Sequence, residues 1–301
     1  RVRCMVRRSS DLTYLRDLPV EWAFTDVRET KEIRQACQGV DAICHCAALT
    51  RAIDQETFMR VNAQGTEALA RAALEAAPNL QRFLFVSSQA AAGPSQGPND
   101  LIDETREPRP LNWYAKSKYA AEQALLSMDG SLPLTIVRPA AVFGPRDRDF
   151  FTYFDLVSRG LELKLGREER RVNLIFVHDL VNLILLALEN KDAVGQIYCG
   201  AGQPFTYAEL SQAIARGLNK RTVRITLPVA VLRPIGLAAK VQERLTGRPA
   251  LLNEQRILDM RQLYWLCTGE KARRELGFVP EYDLETAVQE TAHWYQENGW
   301  L

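Results

Sequence analysis

The sequence predicts an α/β protein in which a doubly wound parallel sheet is followed by a smaller, mainly helical C-terminal region. Short apolar runs rich in β-forming residues alternate with longer segments of helical periodicity through the first half of the chain. The 301 residues are enough to bury an extended core without disulfide support. No window approaches the roughly 18 consecutive apolar residues of a membrane span, so we expect no stable membrane insertion.

The first half supplies the strands and helices of the sheet. The strand candidates are residues 1–6, 20–25, 40–47, 81–87 and 133–138. Between them, residues 29–38, 55–77 and 112–128 space their apolar side chains as amphipathic helices do. Because parallel strands need helical crossovers, this order places helices on both faces of the sheet.

After about residue 145 the alternation becomes less regular, and we set the boundary between two regions there, 1–145 and 146–301. The elements expected beyond it are a helix at 149–159, an extended segment at 170–177, a helix at 178–189, a strand at 195–199 and a helix at 206–218. Thr206 followed by Glu209 forms a capping box at the start of the last of these. The apolar segment 227–241 predicts a helix packed on a pocket or a partner subunit, in preference to a membrane-surface segment.

Composition excludes several classes of function. The 38 basic and 37 acidic residues give a formal charge of +1 and are mixed along the chain, so no nucleic-acid partner is expected. The six cysteines form no CxxC pair, which predicts reduced, mostly buried thiols and a cytoplasmic location. Neither they nor the three histidines show metal-ligand spacing, so no metal is expected.

The sharpest local motif is YAKSK, which runs from Tyr114 to Lys118 at the start of a helical segment. Residues four apart share one helix face, so the ammonium can lie near the phenol. A nearby cation favours phenolate and lowers the pKa of tyrosine, which would make Tyr114 a general acid or base. The apolar run before it ends in Ser87 and Ser88, and ligands bind beyond the carboxyl ends of parallel strands. Ser88 is therefore expected to bond a substrate carbonyl oxygen.

Taken in order, several further motifs resemble the extended short-chain dehydrogenase/reductase superfamily, and within it the branch of dihydroflavonol reductases, 3β-hydroxysteroid dehydrogenases and epimerase/dehydratase-like proteins. The matching stretches are TDVRE (25–29), HCAA (45–48), VNAQGT (61–66), VSSQAAAG (86–93), YAKSK (114–118), VRPAAVFGPRD (137–147), FVHDL (176–180), and KARRELGF with the terminal WYQENGWL. The resemblance implies a Rossmann-like nucleotide-binding core over 1–145 and a substrate-binding region over 146–301.

The resemblance also implies roles for individual residues. Tyr114 would exchange a proton with the substrate oxygen, Lys118 would lower its pKa and hold the nicotinamide ribose, and Ser88 would polarise the carbonyl. Asn62 would brace the sheet. The remaining residues implied to contact the cofactor are Asp26, Val27, Cys46, Ala47, Ala48, Val86, Pro139, Ala141 and Val142.

The start of the chain departs from this family. No GxxGxxG turn, which would hold a pyrophosphate at a helix N-terminus, occurs in the 301 residues. We therefore expect either a first βα unit upstream of Arg1 or a nucleotide site that has decayed. Arg7, Arg8 and Ser9 follow the first strand where NAD enzymes usually carry an acidic residue, so NADP is favoured over NAD.

The substrate is the least determined feature. Val172 and Asn173 stand where nucleotide-sugar enzymes of this family carry Arg and an acidic residue, although Arg170 and Arg171 precede them. This favours a small, fairly apolar ketone or alcohol, with a pocket lined by the aromatic residues Trp113, Phe150, Phe151 and Phe154. The alternatives are a nucleotide-sugar epimerase or dehydratase with tightly bound NAD, and a non-catalytic nucleotide-binding scaffold. Helices 55–77 and 112–128 are candidates for a homodimer contact.

Overall fold

The computed structural model describes residues 1–26, 30–128 and 130–301. The strands in these residues are β1 (Arg3–Val6), β2 (Glu21–Phe24), β3 (Ala42–His45), β4 (Arg82–Val86), β5 (Leu134–Pro139), β6 (Ala141–Phe143), β7 (Leu161–Leu165), β8 (Arg171–Phe176), β9 (Gln196–Gly200), β10 (Pro204–Thr206), β11 (Val223–Leu227) and β12 (Tyr264–Trp265). The helices are α1 (Thr30–Ala36), α2 (Gln55–Phe58), α3 (Gly65–Ala76), α4 (Gln89–Ala92), α5 (Trp113–Leu126), α6 (Phe151–Ser158), α7 (Val177–Glu189), α8 (Tyr207–Gly217), α9 (Leu232–Thr246), α10 (Glu254–Arg261), α11 (Glu270–Leu276) and α12 (Leu284–Glu297).

A parallel sheet of order β3-β4-β5-β9 forms the centre of the molecule. Side chains alternate across β4: Phe83 and Phe85 pack with α1, α3 and α5, whereas Leu84 packs with α7 and α11 on the opposite face. Helices therefore cover both faces, and the predicted doubly wound α/β fold is confirmed. Strand β9 comes from beyond residue 145, so the second region contributes to this sheet; the division 1–145 and 146–301 stays a prediction.

Strands β1 and β2 pair with each other in parallel and form a separate two-stranded sheet. Met5 of β1 and Ile43 of β3 nevertheless pack against the same apolar cluster as α1 and α3. The Arg3 guanidinium also donates to the carbonyl oxygens of Ala36 and Gln38, at 2.9 and 2.7 Å. The two sheets thus share one hydrophobic core.

A second core lies in the C-terminal region. Strands β6, β10 and β12 pair with β8, and β11 pairs with β7. Helices α6, α8 and α12 cover the β8 side with buried residues that include Phe154, Leu210, Ile214, Val288 and Tyr295. The predicted mainly helical region therefore also contains short strands.

Most predicted elements are present within two or three residues of their expected bounds. The expected helix 55–77 is divided, because a π-helical segment, Met59–Gln64, lies between α2 and α3. The capping box of Thr206 and Glu209 is present at the start of α8. The expected helix in 227–241 is α9, but Leu237, Val241 and Leu245 on it are exposed. In the described part of the chain, no helix has the length and apolarity needed to cross a membrane.

The cysteines are free, as expected, but their burial differs from the prediction. Cys37, Cys199 and Cys267 are buried, whereas Cys44 and Cys46 are exposed, with 3.5 Å between their sulfur atoms. Side chains two apart in an extended chain point to one face, which explains why both cysteines, at the end of β3 and just beyond it, lie close together. Among the described residues, no group of three or more potential metal ligands comes together.

Candidate active site

A cavity of about 340 Å³ opens at the carboxyl ends of β4 and β5, beneath α10. Nine of the residues singled out from the sequence line it: Cys46, Ala48, Val86, Ser88, Tyr114, Lys118, Pro139, Ala141 and Val142. They lie at or just beyond the carboxyl ends of β3, β4 and β5, in β6 and in the first two turns of α5, which is where an open parallel sheet binds ligands. The structure thus brings together residues separated by up to almost a hundred positions in the sequence.

Ser88 lies where the chain leaves β4 and turns into the short helix α4. Its backbone is extended, and its hydroxyl accepts a hydrogen bond of 3.1 Å from the amide of Ala90, as an N-cap residue does. The same hydroxyl lies close enough to the phenol of Tyr114 to lower its pKa. Ser88 is therefore a helix cap whose residue also lines the cavity.

Tyr114 is the second residue of α5, whose N-cap is Asn112. The phenol is half-buried, and burial raises its pKa. The nearby Ser88 hydroxyl lowers the pKa of Tyr114, whereas the carboxylates of Asp259 and Asp149 raise it, and the overall direction is upward. The expected lowering of the Tyr114 pKa by Lys118 is therefore wrong for this conformation, because desolvation outweighs the stabilising contacts.

Lys118 lies one turn further along α5 and is buried. Its ammonium donates to the carbonyl oxygen of Val86 at 2.7 Å and lies 4.1 Å from the centre of the Phe85 ring. Burial lowers the pKa of Lys118 to about 8, although the negative charge of Glu122 acts in the opposite direction. The ammonium faces the cavity as a desolvated cation at the end of β4.

A buried ion pair supports the floor of the cavity. Both carboxylate oxygens of Glu122 accept from the Arg138 guanidinium, at 3.0 and 2.6 Å, and one also accepts from Ser87 at 2.5 Å. These contacts join α5 to the ends of β4 and β5. Asn62 acts similarly on the other side, because its amide bonds the backbone of Leu49 and the hydroxyl of Ser117. The expected bracing role of Asn62 agrees with these contacts.

Other residues implied to bind the cofactor lie outside this cavity. Arg7, Arg8 and Ser9 are exposed in the turn after β1, where Arg8 stacks over the Phe24 ring at 5.7 Å. Asp26 and the exposed Ala47 also do not line the cavity. Val27 falls outside the described residues. The assignment of these residues to a nucleotide remains a prediction.

The cavity also contains polar residues that sequence reasoning missed. They are Arg51, Asn112, Asp149, Asn253, Gln255, Arg256 and Asp259. Arg51 pairs with Asp149, and the two side chains are partly buried. Asn112 and Asn253 carry a local signal, since asparagine before a helical segment is a typical N-cap. The aromatic residues expected in the pocket lie elsewhere, because Phe154 is fully buried in the second core and Phe150 and Phe151 pack against it.

Comparison with known proteins agrees with this geometry. The model of the NAD dependent epimerase/dehydratase family matches residues 1–200. This chain belongs to the NAD-dependent epimerase/dehydratase family. The resemblance to extended short-chain dehydrogenases/reductases is thereby confirmed, and the family's cofactor class is NAD(P).

Curated relatives of the epimerase/dehydratase family align with the whole chain. Ceramide reductase from Caulobacter vibrioides is 29% identical over 303 residues, covering 100% of this chain and 88% of its own length. Sterol demethylase protein B from Methylococcus capsulatus is 30% identical over 314 residues, covering 100% and 92%. The crystal structure of gox2253 has a TM-score of 0.81 at 28% identity, covering 99% of this chain and 91% of that one. These relatives support an NAD(P)-dependent enzyme that is either an oxidoreductase or an epimerase/dehydratase.

Proposed function

We propose that this chain is an NADP-dependent oxidoreductase that interconverts a ketone or aldehyde with an alcohol on a small, fairly apolar substrate. One observation carries the proposal: the side chains of Ser88 and Tyr114 share a cavity with the buried ammonium of Lys118. Polar groups so placed can bind a carbonyl oxygen and exchange a proton with it.

Each of the three residues has a distinct chemical task in this proposal. Tyr114 donates the proton of its hydroxyl to the carbonyl oxygen in reduction and recovers a proton in oxidation. The raised pKa of Tyr114 keeps the phenol protonated near neutral pH, which suits proton donation. Ser88 donates a hydrogen bond to the same carbonyl oxygen and stabilises the negative charge that develops there.

The buried ammonium also fits a nicotinamide nucleotide. Lys118 has three N–H donors, and the hydrogen bond described for it uses one of them, to Val86. The remaining donors are available to the ribose hydroxyls of a nucleotide that lies along Cys46, Ala48, Val86, Pro139, Ala141 and Val142. Asp26, Val27 and Ala47 remain predicted contacts of the same nucleotide. A bound NADPH would supply the hydride, while the protein supplies orientation and the proton.

An apolar substrate body is supported by the cavity wall and by relatives. Phe58, Leu180 and Leu251 line the cavity beside the polar groups. Two relatives are named ceramide reductase and sterol demethylase protein B, and ceramides and sterols are largely apolar alcohols. Arg170, one candidate to hold a sugar diphosphate, donates instead to the backbone oxygens of Leu165, Met260 and Gln262.

A nucleotide-sugar epimerase or dehydratase is the second candidate. Arg51 and Arg256 line the cavity and offer guanidinium groups of the type that bind a diphosphate. Such an enzyme would return the hydride to its own substrate and would bind UDP-glucose in the presence of NAD.

The test measures consumption of NADPH with cyclohexanone and acetophenone, and binding of UDP-glucose by calorimetry. Consumption of NADPH with a ketone, without UDP-glucose binding, supports the oxidoreductase. UDP-glucose binding without consumption of NADPH favours the epimerase. If the protein neither consumes NADPH nor binds UDP-glucose, the non-catalytic scaffold is the better description.

The preference for NADP rests on the exposed arginines at the end of β1. Arg7 and Arg8 are both exposed, and arginine at the end of this strand is the residue type that accommodates a 2′-phosphate. Titration of NADPH and NADH against tryptophan fluorescence tests this preference. We expect tighter NADPH binding, loss of most of that advantage in an Arg7→Ala/Arg8→Ala variant, and no loss in the matched Arg16→Ala variant. Equal affinities for both nucleotides in the unmodified protein would contradict the proposal.

A further inference from the structure

Helix α10, from the proposed substrate-binding region, is hydrogen-bonded to the start of α5, the helix that carries Tyr114. The Asn112 amide nitrogen donates to both carboxylate oxygens of Asp259, at 2.8 Å each. The backbone amide of Trp113 donates to the side-chain oxygen of Gln255 at 3.0 Å. The first turn of a helix has unpaired amide groups, and α10 supplies a partner for one of them. The two helices are thus joined across a separation of 147 residues in the sequence.

Asn112 can serve both helices in only one orientation. Its side-chain oxygen accepts from the amide of Ala115 at 2.7 Å and thereby caps α5. Its amino group must then point away from α5, and it meets the carboxylate of Asp259. Because Asn112 is 4% exposed, water has little access to replace either contact. The position of Tyr114, two residues further on, depends on this cap.

Asp259 also acts on Tyr114 through its charge. Its carboxylate raises the pKa of the phenol, in addition to the effect of burial. Burial raises the pKa of Asp259 itself to about 6, against the opposing effects of Arg256 and the Asn112 hydrogen bond. The other group that its carboxylate faces is Tyr207 at the start of α8, whose pKa it also raises. Asp259 is therefore a cavity carboxylate that changes charge near pH 6.

We propose that Asp259 is a positioning residue: it fixes the first turn of α5 through Asn112 and thereby the place of the Tyr114 phenol at the cavity. This inference rests on the proposed function for its catalytic meaning, but the contact itself does not. Above about pH 6, the charged carboxylate holds the amide of Asn112 firmly and opposes ionisation of the phenol. Below that pH, protonation weakens both effects. The substrate-binding region thereby fixes the place of the acid–base group and adds to its proton affinity.

Nuclear magnetic resonance of protein labelled with carbon-13 at the tyrosine ζ position tests the proposal without a substrate. A Tyr114→Phe variant assigns the Tyr114 signal. We expect this signal to move with an apparent pKa of about 6, which reports Asp259. In Asp259→Asn that step should vanish, and the phenol should ionise at lower pH than in the unmodified protein. Glu254→Gln is the matched control, because Glu254 is exposed on the same helix and pairs with Lys240 at 2.9 Å.

Turnover supplies the second readout. With a ketone that the unmodified enzyme reduces, we expect Asp259→Asn to lower kcat about 10-fold with a smaller change in KM, and to remove the acid limb of the pH profile near pH 6. An unchanged Tyr114 titration in Asp259→Asn would overturn the proposal. If Asp259→Asn changes the Tyr114 titration as expected but the unmodified protein reduces no ketone, the proposed contact between α10 and Tyr114 stands and the oxidoreductase is refuted.

Discussion

Replacing Lys118 with Met tests the most unusual electrostatic feature of the site. The ammonium is buried, and its pKa falls from an ordinary 10.5 to about 8, which corresponds to a cost of about 3 kcal/mol for keeping the charge in the folded protein. The substitution also removes the charged hydrogen bond to Val86, and bonds of this kind contribute about 1.5–3 kcal/mol. The two effects offset each other, so we expect the free energies of unfolding at neutral pH to lie within about 2 kcal/mol.

The pH dependence separates the two effects. Between pH 8 and 10.5 the unfolded chain keeps the Lys118 proton while the folded protein releases it, so stability should rise with pH in this window. The slope should approach about 1.4 kcal/mol per pH unit for the unmodified protein relative to Lys118→Met. The measurement is urea unfolding at pH 7, 8, 9 and 10. Lys116→Met is the matched control, because Lys116 is exposed on the same helix and should keep the full slope. Equal slopes in the unmodified protein and in Lys118→Met would refute a desolvated ammonium.

Three further substitutions test other parts of the account. Tyr114→Phe should lower ketone turnover about 10²- to 10⁴-fold while nucleotide binding stays intact, and Tyr119→Phe on the same helix should not; equal turnover in both variants would contradict the acid–base role. Glu122→Gln should destabilise the fold by about 3–5 kcal/mol in urea unfolding, because it leaves a buried guanidinium without its counter-charge; a loss below 1 kcal/mol would show that the pair is dispensable. Gly93→Ala should cost about 2 kcal/mol, since Gly93 has a φ of 98° and its Cβ would meet a backbone oxygen, whereas Gly97→Ala meets open space and should be neutral.

Local patterns were sufficient to predict the fold and to single out Ser88, Tyr114 and Lys118, which line one cavity. The alternation of strands and helices depends on periodicity within short segments, and the four-residue spacing of Tyr114 and Lys118 places both on one face of α5. Ser88 could be located because strand ends in a parallel sheet meet at one edge.

Features that depend on tertiary contacts could not be predicted in this way. The Val86 carbonyl holds Lys118 only because β4 and α5 lie side by side. The pKa of Tyr114 rises because of burial and carboxylates such as Asp259, which no spacing relates to the YAKSK motif. Phe154 is a residue type expected in an apolar pocket wall, yet its side chain is buried in the second core. Predictions from residue type alone therefore failed where burial or distant partners decided the outcome.

The most direct test of the central claim follows the hydride. NADPH carrying deuterium at the transferable position of the nicotinamide ring is incubated with the protein and a reducible ketone, and the product is analysed by mass spectrometry. We expect one deuterium on the carbinol carbon of the alcohol, with formation of this product lost in Tyr114→Phe. An alcohol without deuterium, or retention of all label on the nucleotide with every ketone tried, would contradict an NADP-dependent oxidoreductase.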